Sequence, residues 1–471
     1  MPQACLSPSR FLRPRVVFRW GMVMRALWRW HRSVSCWLIG LALSVSGLTA
    51  QAADGKRPPN VVLIVADDLG WGDVGFNGRT EWTTPNLDRL AKLGRALDRC
   101  YTAAVVCAPS RAAFLTGKYT IHSGVRRNDD DLPTEEVTIA EAIKPLGYRA
   151  ALFGKWHHGK SRADSELYVH PLDQGFDEFF GYTDAVHAFE KFPTKLWNGR
   201  EQVPVSGYID DLITDRAIQF VGEQRQKPFF LYLAYVATHF GIAAPADEVA
   251  RHKGRFSEEN PDLPLKATYA AMVTRLDRNI GRLLKTLEQL DLTRDTLIIF
   301  TSDHGATFES GNQGTSASLD SNRPFRGQKR TLWEGGVRVP ALAYWPGQIA
   351  GGVRTRDVTH LTDLLPTIVA AAGGKVNPAW HIDGANMMPV WTGKQPAPER
   401  TLFWEWSGEG YDQQAALRGQ YKLVVTHEGK AELFDVEGDP AERRDISAHH
   451  PDLTKQLKVE LLAWLKTETR R

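Results

Sequence analysis

Acidic residues are absent from the first 53 positions of this 471-residue chain, where Arg10, Arg13, Arg15, Arg19, Arg25, Arg29 and Arg32 stand unopposed. Cysteine is scarce: Cys5, Cys36, Cys100 and Cys107 are the whole supply, which excludes a small disulfide-stapled scaffold. No internal repeat or low-complexity block is present, so solenoids and propellers are excluded. The apolar run at 37–48 is shorter than the roughly 18 residues a membrane span needs. With the arginines before it and Ala50-Gln51-Ala52 after it, residues 1–52 read as a secretory signal peptide rather than an anchor. The charged stretch is long for such a leader, which makes Met22 and Met24 alternative starts. Removing 1–52 takes away seven arginines and no acid, leaving 51 basic and 55 acidic residues and a net charge of −4 instead of +3. The basic balance therefore belongs to the leader, and nucleic-acid binding is not expected. Cys100 and Cys107 remain, with six residues between them, a spacing that permits a disulfide in an oxidising compartment.

What is present is a globular composition, 42% apolar, long enough for a large domain and a small one. Four near-continuous apolar runs end abruptly in polar residues. Residues 60–66 precede Asp67-Asp68, 150–153 precede Gly154-Lys155, 229–236 precede His239, and 296–301 precede Asp303. Such runs read as strands buried on both faces. Helical patterns lie between them. One is opened by Thr84-Pro85, striped by Leu87, Leu90 and Leu93, and closed by Gly94. A second has a capping box of Thr138 and Glu141 and ends at Gly147, and a long amphipathic helix spans 269–290. The alternation predicts an α/β layered fold with a mixed, mostly parallel sheet between helices. In such a sheet the carboxyl ends of the strands line the ligand crevice, so the four polar termini predict one pocket. Short strands at 401–406, 415–417, 421–426 and 431–434 and a helix at 453–465 predict a small C-terminal antiparallel sheet with one helix. The predicted division is 1–52 leader, 53–395 catalytic domain, 396–471 small C-terminal domain. Residues 306–321, rich in glycine and serine, are expected to form a loop near the pocket mouth.

The sharpest motif is Cys107-Ala108-Pro109-Ser110-Arg111, continued by Leu115-Thr116-Gly117. Ser110 is placed to cap a helix starting near Arg111, which sets Cys107 just before a helix N-terminus, a position that stabilises anions. The plain alternative is a small buried cysteine in a proline turn. C-x-P-S-R followed by L-T-G resembles the signature of the type I, formylglycine-dependent sulfatases. The resemblance implies that Cys107 is oxidised to formylglycine by a maturation enzyme and is unavailable to Cys100. It further implies that the hydrated aldehyde attacks sulfur with one hydroxyl and expels sulfate with the other.

The likeness continues along the chain. Pro59-Asn60-Val61-Val62-Leu63-Ile64-Val65-Ala66-Asp67-Asp68 is similar to the family's opening strand, and Thr301-Ser302-Asp303-His304-Gly305 to its D-N/H-G segment. The resemblance implies one calcium ion on Asp67, Asp68, residue 107, Asp303 and His304, carboxylates being its preferred donors. His304 departs from the commoner asparagine, and imidazole is the poorer calcium ligand. Gly154-Lys155-Trp156-His157-His158-Gly159 resembles G-K-W-H-x-G, which implies Lys155 on a sulfate oxygen and His157 as the base that releases sulfate. His239, after Ala237-Thr238 where the family has Ala-Pro, is implied to protonate the leaving oxygen. Arg326-Gly327-Gln328-Lys329 and Glu334-Gly335-Gly336-Val337-Arg338 resemble R-G-x-K…E-G-G-x-R, which implies Lys329 between sulfate and leaving group; Arg111 of the C-x-P-S-R motif is implied to be catalytic as well.

The implied activity is sulfate-ester hydrolysis on an aryl or, preferably, a carbohydrate sulfate, in a periplasmic or secreted protein. The alternatives are a phosphate or phosphonate monoester hydrolase on the same fold, and a non-catalytic binder of sulfated glycans. His187, Trp197, Asp129 and Asp130 lie in segments that could rim the pocket, and the ordinary reading of each is a loop residue.

Overall fold

The computed structural model describes residues 57–158, 169–408 and 411–467; the leader and its cleavage site lie outside the described residues. Its frame is a ten-stranded mixed sheet. The order across it is Val353–Thr355, Arg95–Leu97, Ala341–Tyr344, Thr296–Ser302, Asn60–Asp67, Phe229–Thr238, Arg149–Lys155, Glu178–Tyr182, Lys195–Asn198, Glu201–Pro204. The five strands from Thr296–Ser302 to Glu178–Tyr182 are mutually parallel, and antiparallel pairs flank them on both sides.

The central strand shows why the apolar runs are unbroken. Successive strand residues point to opposite faces. Val61, Leu63 and Val65 enter one core, with the helices Cys107–Thr116, Ile139–Ile143 and Leu364–Ala371. Val62, Ile64 and Ala66 enter the other, with Pro85–Leu93, Ile209–Gln224 and Leu265–Gln289. Both faces are dry, so every position from Val61 to Ala66 is apolar until the strand reaches the crevice, and Asn60 at its start is satisfied by Thr296.

A four-stranded antiparallel sheet, Thr401–Gly408, Tyr411–Arg418, Tyr421–Thr426 and Ala431–Asp435, follows in chain order. One face packs against the helix Pro451–Trp464 through Ala416, Leu423, Leu433, Leu457 and Leu461. The other sets Leu402, Trp404 and Trp406 in one core with Val105, Val106 and Trp333. That second core backs both the approach to Cys107 and the loop bearing Lys329. Lys422 Nζ, fully buried, pins the same junction with Glu334 at 3.0 Å and Glu442 at 3.1 Å. Among the described residues no helix is long and apolar enough to cross a membrane.

Three expectations need correction. The capping box of Thr138 and Glu141 forms, but Thr84 does not cap with its side chain: its Oγ1 accepts from Gly75 N–H and donates to Asp88. Leu93 is 44% exposed, because steps of three residues drift about 120° around the helix between Leu87 and Leu93, and Ala91 takes the buried place. The long helix is Leu265–Gln289, starting four residues early because the Glu258 carboxylate accepts from Lys266 and Ala267 N–H. Residues 306–321 contain two short helical turns, Ser310–Asn312 and Thr315–Ser318, within the loop.

Candidate active site

The four polar strand ends meet at one buried cluster. Asp67 closes the central strand and Asp68 follows it with φ of 61°. In continued strand geometry the two carboxylates would point to opposite faces. The left-handed turn at Asp68 brings both to the same side. Two contacts hold that uncommon conformation: Thr238 Oγ1 donates to Asp68 O at 3.0 Å, and Asp68 N–H donates to Asp303 Oδ1 at 3.2 Å. Thr238 stands where the family pattern has proline, which has no hydroxyl to give.

Cys107 is the first residue of the helix Cys107–Thr116, with Val106 as N-cap. This corrects the expectation that Ser110 caps the helix near Arg111. Pro109 is tolerated in the first turn, where its missing N–H costs nothing, so the helix begins earlier. The Ser110 hydroxyl instead donates to Asp303 O at 2.6 Å, tying the helix to the metal-type carboxylate segment. Ala108 N–H donates to Asn128 Oδ1 at 3.1 Å, a contact the sequence did not signal. Cys100 and Cys107 are both buried free thiols.

Around Cys107 Sγ stand His304 Nε2 at 3.3 Å, Asp67 Oδ1 at 3.5 Å and Lys329 Nζ at 3.6 Å. Lys155 Nζ lies 2.6 Å from Asp67 Oδ2, and Lys329 Nζ 2.8 Å from Asp68 Oδ1. Arg111, fully buried, spends its fork on Asp303 Oδ2 at 2.9 Å, Lys155 O at 2.9 Å and Tyr232 Oη at 3.2 Å. It thus sits beneath the carboxylates and balances their charge. Gly154 and Gly305 make the convergence possible. A Cβ at Gly154 would lie 2.0 Å from Ala234 O, and one at Gly305 would lie 1.8 Å from Gly335 O.

The electrostatics favour an anion at position 107. Burial opposes a thiolate, yet Lys155, Lys329 and His304 together hold the Cys107 thiol well below its usual range. Burial also opposes ionisation of Asp67, but Lys155, His239 and Arg111 keep its carboxyl well down. Burial, reinforced by Asp67, pushes the Asp303 carboxyl up. A carboxylate held high beside another is relieved by a cation, and the donors fit one. Ligand atoms of Asp67, Cys107, Asp303 and His304 lie within 4.8 Å of one another, as do those of Asp67, Asp68, Cys107 and His239. Three carboxylates suit a hard divalent ion such as calcium. His304 Nδ1 donates to Gly305 O at 3.0 Å and leaves Nε2 for the cluster; against burial, Asp303 and Cys107 raise its pKa to about 9, and a bound cation would take the place of the Nε2 proton.

His157 has φ of 73°, is 5% exposed, and its ring lies against the Cys107 thiol, which it helps to hold down. Burial, then the Lys155 charge, pull its pKa down to about 4, so it is a neutral base at pH 7. His239 Nδ1 donates to Phe240 O at 2.7 Å, and its ring stacks at 15° on Phe189, with centroids 5.2 Å apart. Burial lowers its pKa as well. Phe189, Lys191 and Tyr232 were not anticipated. Lys191 is 3% exposed, anchored by Ala188 O at 3.0 Å, and burial pulls its ammonium down. Asp130 accepts from Arg126 and Arg127 N–H at 2.8 Å and closes its own turn.

The Sulfatase family profile matches residues 59–374, and a profile described as N-sulphoglucosamine sulphohydrolase, C-terminal, matches 326–467. The chain is 34% identical to mouse N-acetylgalactosamine-6-sulfatase over 420 residues, 81% of this chain and 75% of that protein. It is 34% identical to human arylsulfatase A over 445 residues, 86% of this chain and 82% of that one. Among solved structures, Ps i-CgsB superposes with a TM-score of 0.80 at 32% identity, covering 88% of this chain and 94% of that one, and it has also been solved with k-i-k-neocarrahexaose. The chain belongs to the sulfatase family and is a sulfuric ester hydrolase.

Proposed function

We propose that the protein hydrolyses carbohydrate sulfate esters in the periplasm or outside the cell, using a formylglycine made from Cys107 by a maturation enzyme and one calcium ion held by Asp67, Asp68, Asp303 and His304. The observation that carries this reading is the ring of His304, Asp67 and Lys329 within 3.6 Å of the Cys107 Sγ, which marks where a formylglycine oxygen would stand. Bound calcium would supply Lewis-acid charge to that oxygen and to the sulfate.

Charge balance supports the choice of substrate. Asp67, Asp68 and Asp303 are offset by Arg111, Lys155 and Lys329. A divalent cation leaves two positive charges over. A sulfate monoester brings one negative charge and an ionised hydroxyl at residue 107 brings the other. Lys155 and Lys329 would turn from Asp67 and Asp68 toward sulfate oxygens, where fixed cations stabilise developing charge. His157, neutral and set against residue 107, would take the proton when sulfate is released. His239 would deliver one to the departing sugar oxygen. The carbohydrate preference draws support from the complex of Ps i-CgsB with a neocarrahexaose.

Removal of calcium by a chelator is expected to lower both turnover and thermal midpoint, and calcium to restore them. At about 100 times its Kd the ion should stabilise the fold by about 2.7 kcal/mol, read from the thermal midpoint against calcium concentration. A fully active, calcium-insensitive protein would refute the metal assignment. Thr238→Val removes the hydroxyl beneath Asp68 while keeping its shape. Loss of one buried hydrogen bond costs about 1 kcal/mol, so calcium affinity by titration calorimetry should fall roughly fivefold, with Thr238→Ser restoring it.

A further inference from the structure

The segment 184–191, whose Phe189 stacks on His239, also lines a cavity of about 190 Å³ through Asp184, His187 and Glu190, together with Lys195, Trp197 and Gln202. We infer that this cavity is the subsite for a pyranose ring of the sulfated substrate, with Trp197 as its platform and His187 as a hydroxyl-recognising group. The inference rests on the carbohydrate reading above and names the residues that would enforce it.

Position comes first. The cavity opens at the carboxyl end of Glu178–Tyr182, whose Tyr182 is the register partner of Lys155. Its wall is the segment 184–191. From that segment Phe189 stacks on His239, while His187 and Glu190 line the cavity. One short stretch therefore touches the histidine proposed to serve the leaving oxygen and also the space beyond it.

The chemistry of the lining comes second. Asp184 is nearly buried and accepts from His187 N–H at 2.9 Å and from His187 Nδ1 at 2.6 Å. That double bond to a fixed carboxylate sets the ring orientation and leaves Nε2 on a side chain that is 63% exposed. Carboxylates, an amide, an ammonium and an imidazole line the cavity together with one indole, which also packs on the core and against His170. A steroid or simple aryl group would call for an apolar lining, and a polyanion for cations alone. Mixed donors and acceptors beside an aromatic face suit a hydroxyl-rich ring with one apolar side. Val186, Phe189 and Phe192, exposed at 54%, 37% and 50%, stand on the same stretch, which marks it as a contact surface.

The test uses the matured, calcium-loaded protein and its Trp197→Ala, Trp197→Phe and His187→Ala variants. The probes are a neocarrageenan oligosaccharide, N-acetylgalactosamine 6-sulfate and 4-nitrophenyl sulfate, which has no sugar ring. Trp197→Ala and His187→Ala should each raise KM on the sugar sulfates that the wild type cleaves by roughly ten- to a hundredfold, the weight of an aromatic or polar anchor at a binding hot spot. Turnover of nitrophenyl sulfate should be unchanged, and Trp197→Phe should recover most of the loss. Sugar sulfates cleaved equally well by all variants would overturn the subsite and leave the carbohydrate reading standing. Equal losses on nitrophenyl sulfate would make Trp197 and His187 merely structural and overturn it too. A wild type that cleaves nitrophenyl sulfate and no sugar sulfate would overturn the carbohydrate reading and the subsite together.

Discussion

A Cys107→Ala chain is expected to keep its fold and lose on the order of ten-thousandfold to a millionfold in kcat, the scale seen when a covalent nucleophile is removed. The fold should survive because Cys107 is small and the helix it opens is held independently. Ser110 ties that helix to Asp303, and Asn128 takes the Ala108 N–H. The thermal midpoint of the calcium-loaded variant is the control. Turnover of 4-nitrophenyl sulfate by purified wild type and variant, made in a host with a competent maturation enzyme, gives the answer. Cys107→Ser should be as inactive, except in a host whose maturation system accepts serine. Residual activity within tenfold of wild type would remove Cys107 from the reaction.

The second large effect concerns His239. Cleavage of a sulfate ester builds negative charge on the departing oxygen. A nitrophenolate bears that charge unaided, whereas a sugar alkoxide needs a proton in the transition state. General acid catalysis contributes about a hundredfold to ten-thousandfold. His239→Ala should therefore cost that factor on a sugar sulfate and little on nitrophenyl sulfate. The geometry orients the ring: Phe240 O holds the Nδ1 proton, Phe189 and Phe240, themselves in contact, pack against the imidazole, and the proton to be delivered is a second one on Nε2, opposed by burial and favoured by Asp67 and Asp68. Lys329→Ala should harm both substrates, since Lys329 Nζ lies beside both Asp68 and the residue-107 atom. Equal losses for His239→Ala on the two substrates would reassign His239 to sulfate binding or packing.

The pocket was legible because its parts obey local rules. A strand dry on both faces must be apolar to its end, so the first polar residues of the four runs announced the crevice edge. Asp67, Asp68, Lys155, His239 and Asp303 follow from that pattern, and the motif around Cys107 added the helix terminus beside them. The mixed sheet and the C-terminal antiparallel sheet also followed from periodicity. What was not legible was tertiary. Nothing in the neighbourhood of Thr84 says that its hydroxyl is spent on Gly75 and Asp88. Glu258, which starts the long helix early, lies seven residues ahead of that helix's first residue, Leu265. Phe189 meets His239 across fifty residues of chain, and the segment between 184 and 191 has no periodicity to flag it. His187 and Trp197 were singled out only as loop residues, and it is the pairing of Lys195–Asn198 with Glu178–Tyr182 that puts them around one cavity.

The most direct measurement is mass spectrometry of the tryptic peptide from Cys100 to Arg111, taken from preparations matured to different extents and assayed in parallel. That peptide carries both cysteines, so Cys100 serves as an internal reference that stays a thiol, buried in the core and with its pKa pushed far up by burial. Residue 107 should appear as formylglycine or its hydrate, and turnover per molecule should rise in proportion to that fraction and vanish with it. Full activity in protein whose residue 107 is entirely unmodified cysteine would show that the nucleophile lies elsewhere.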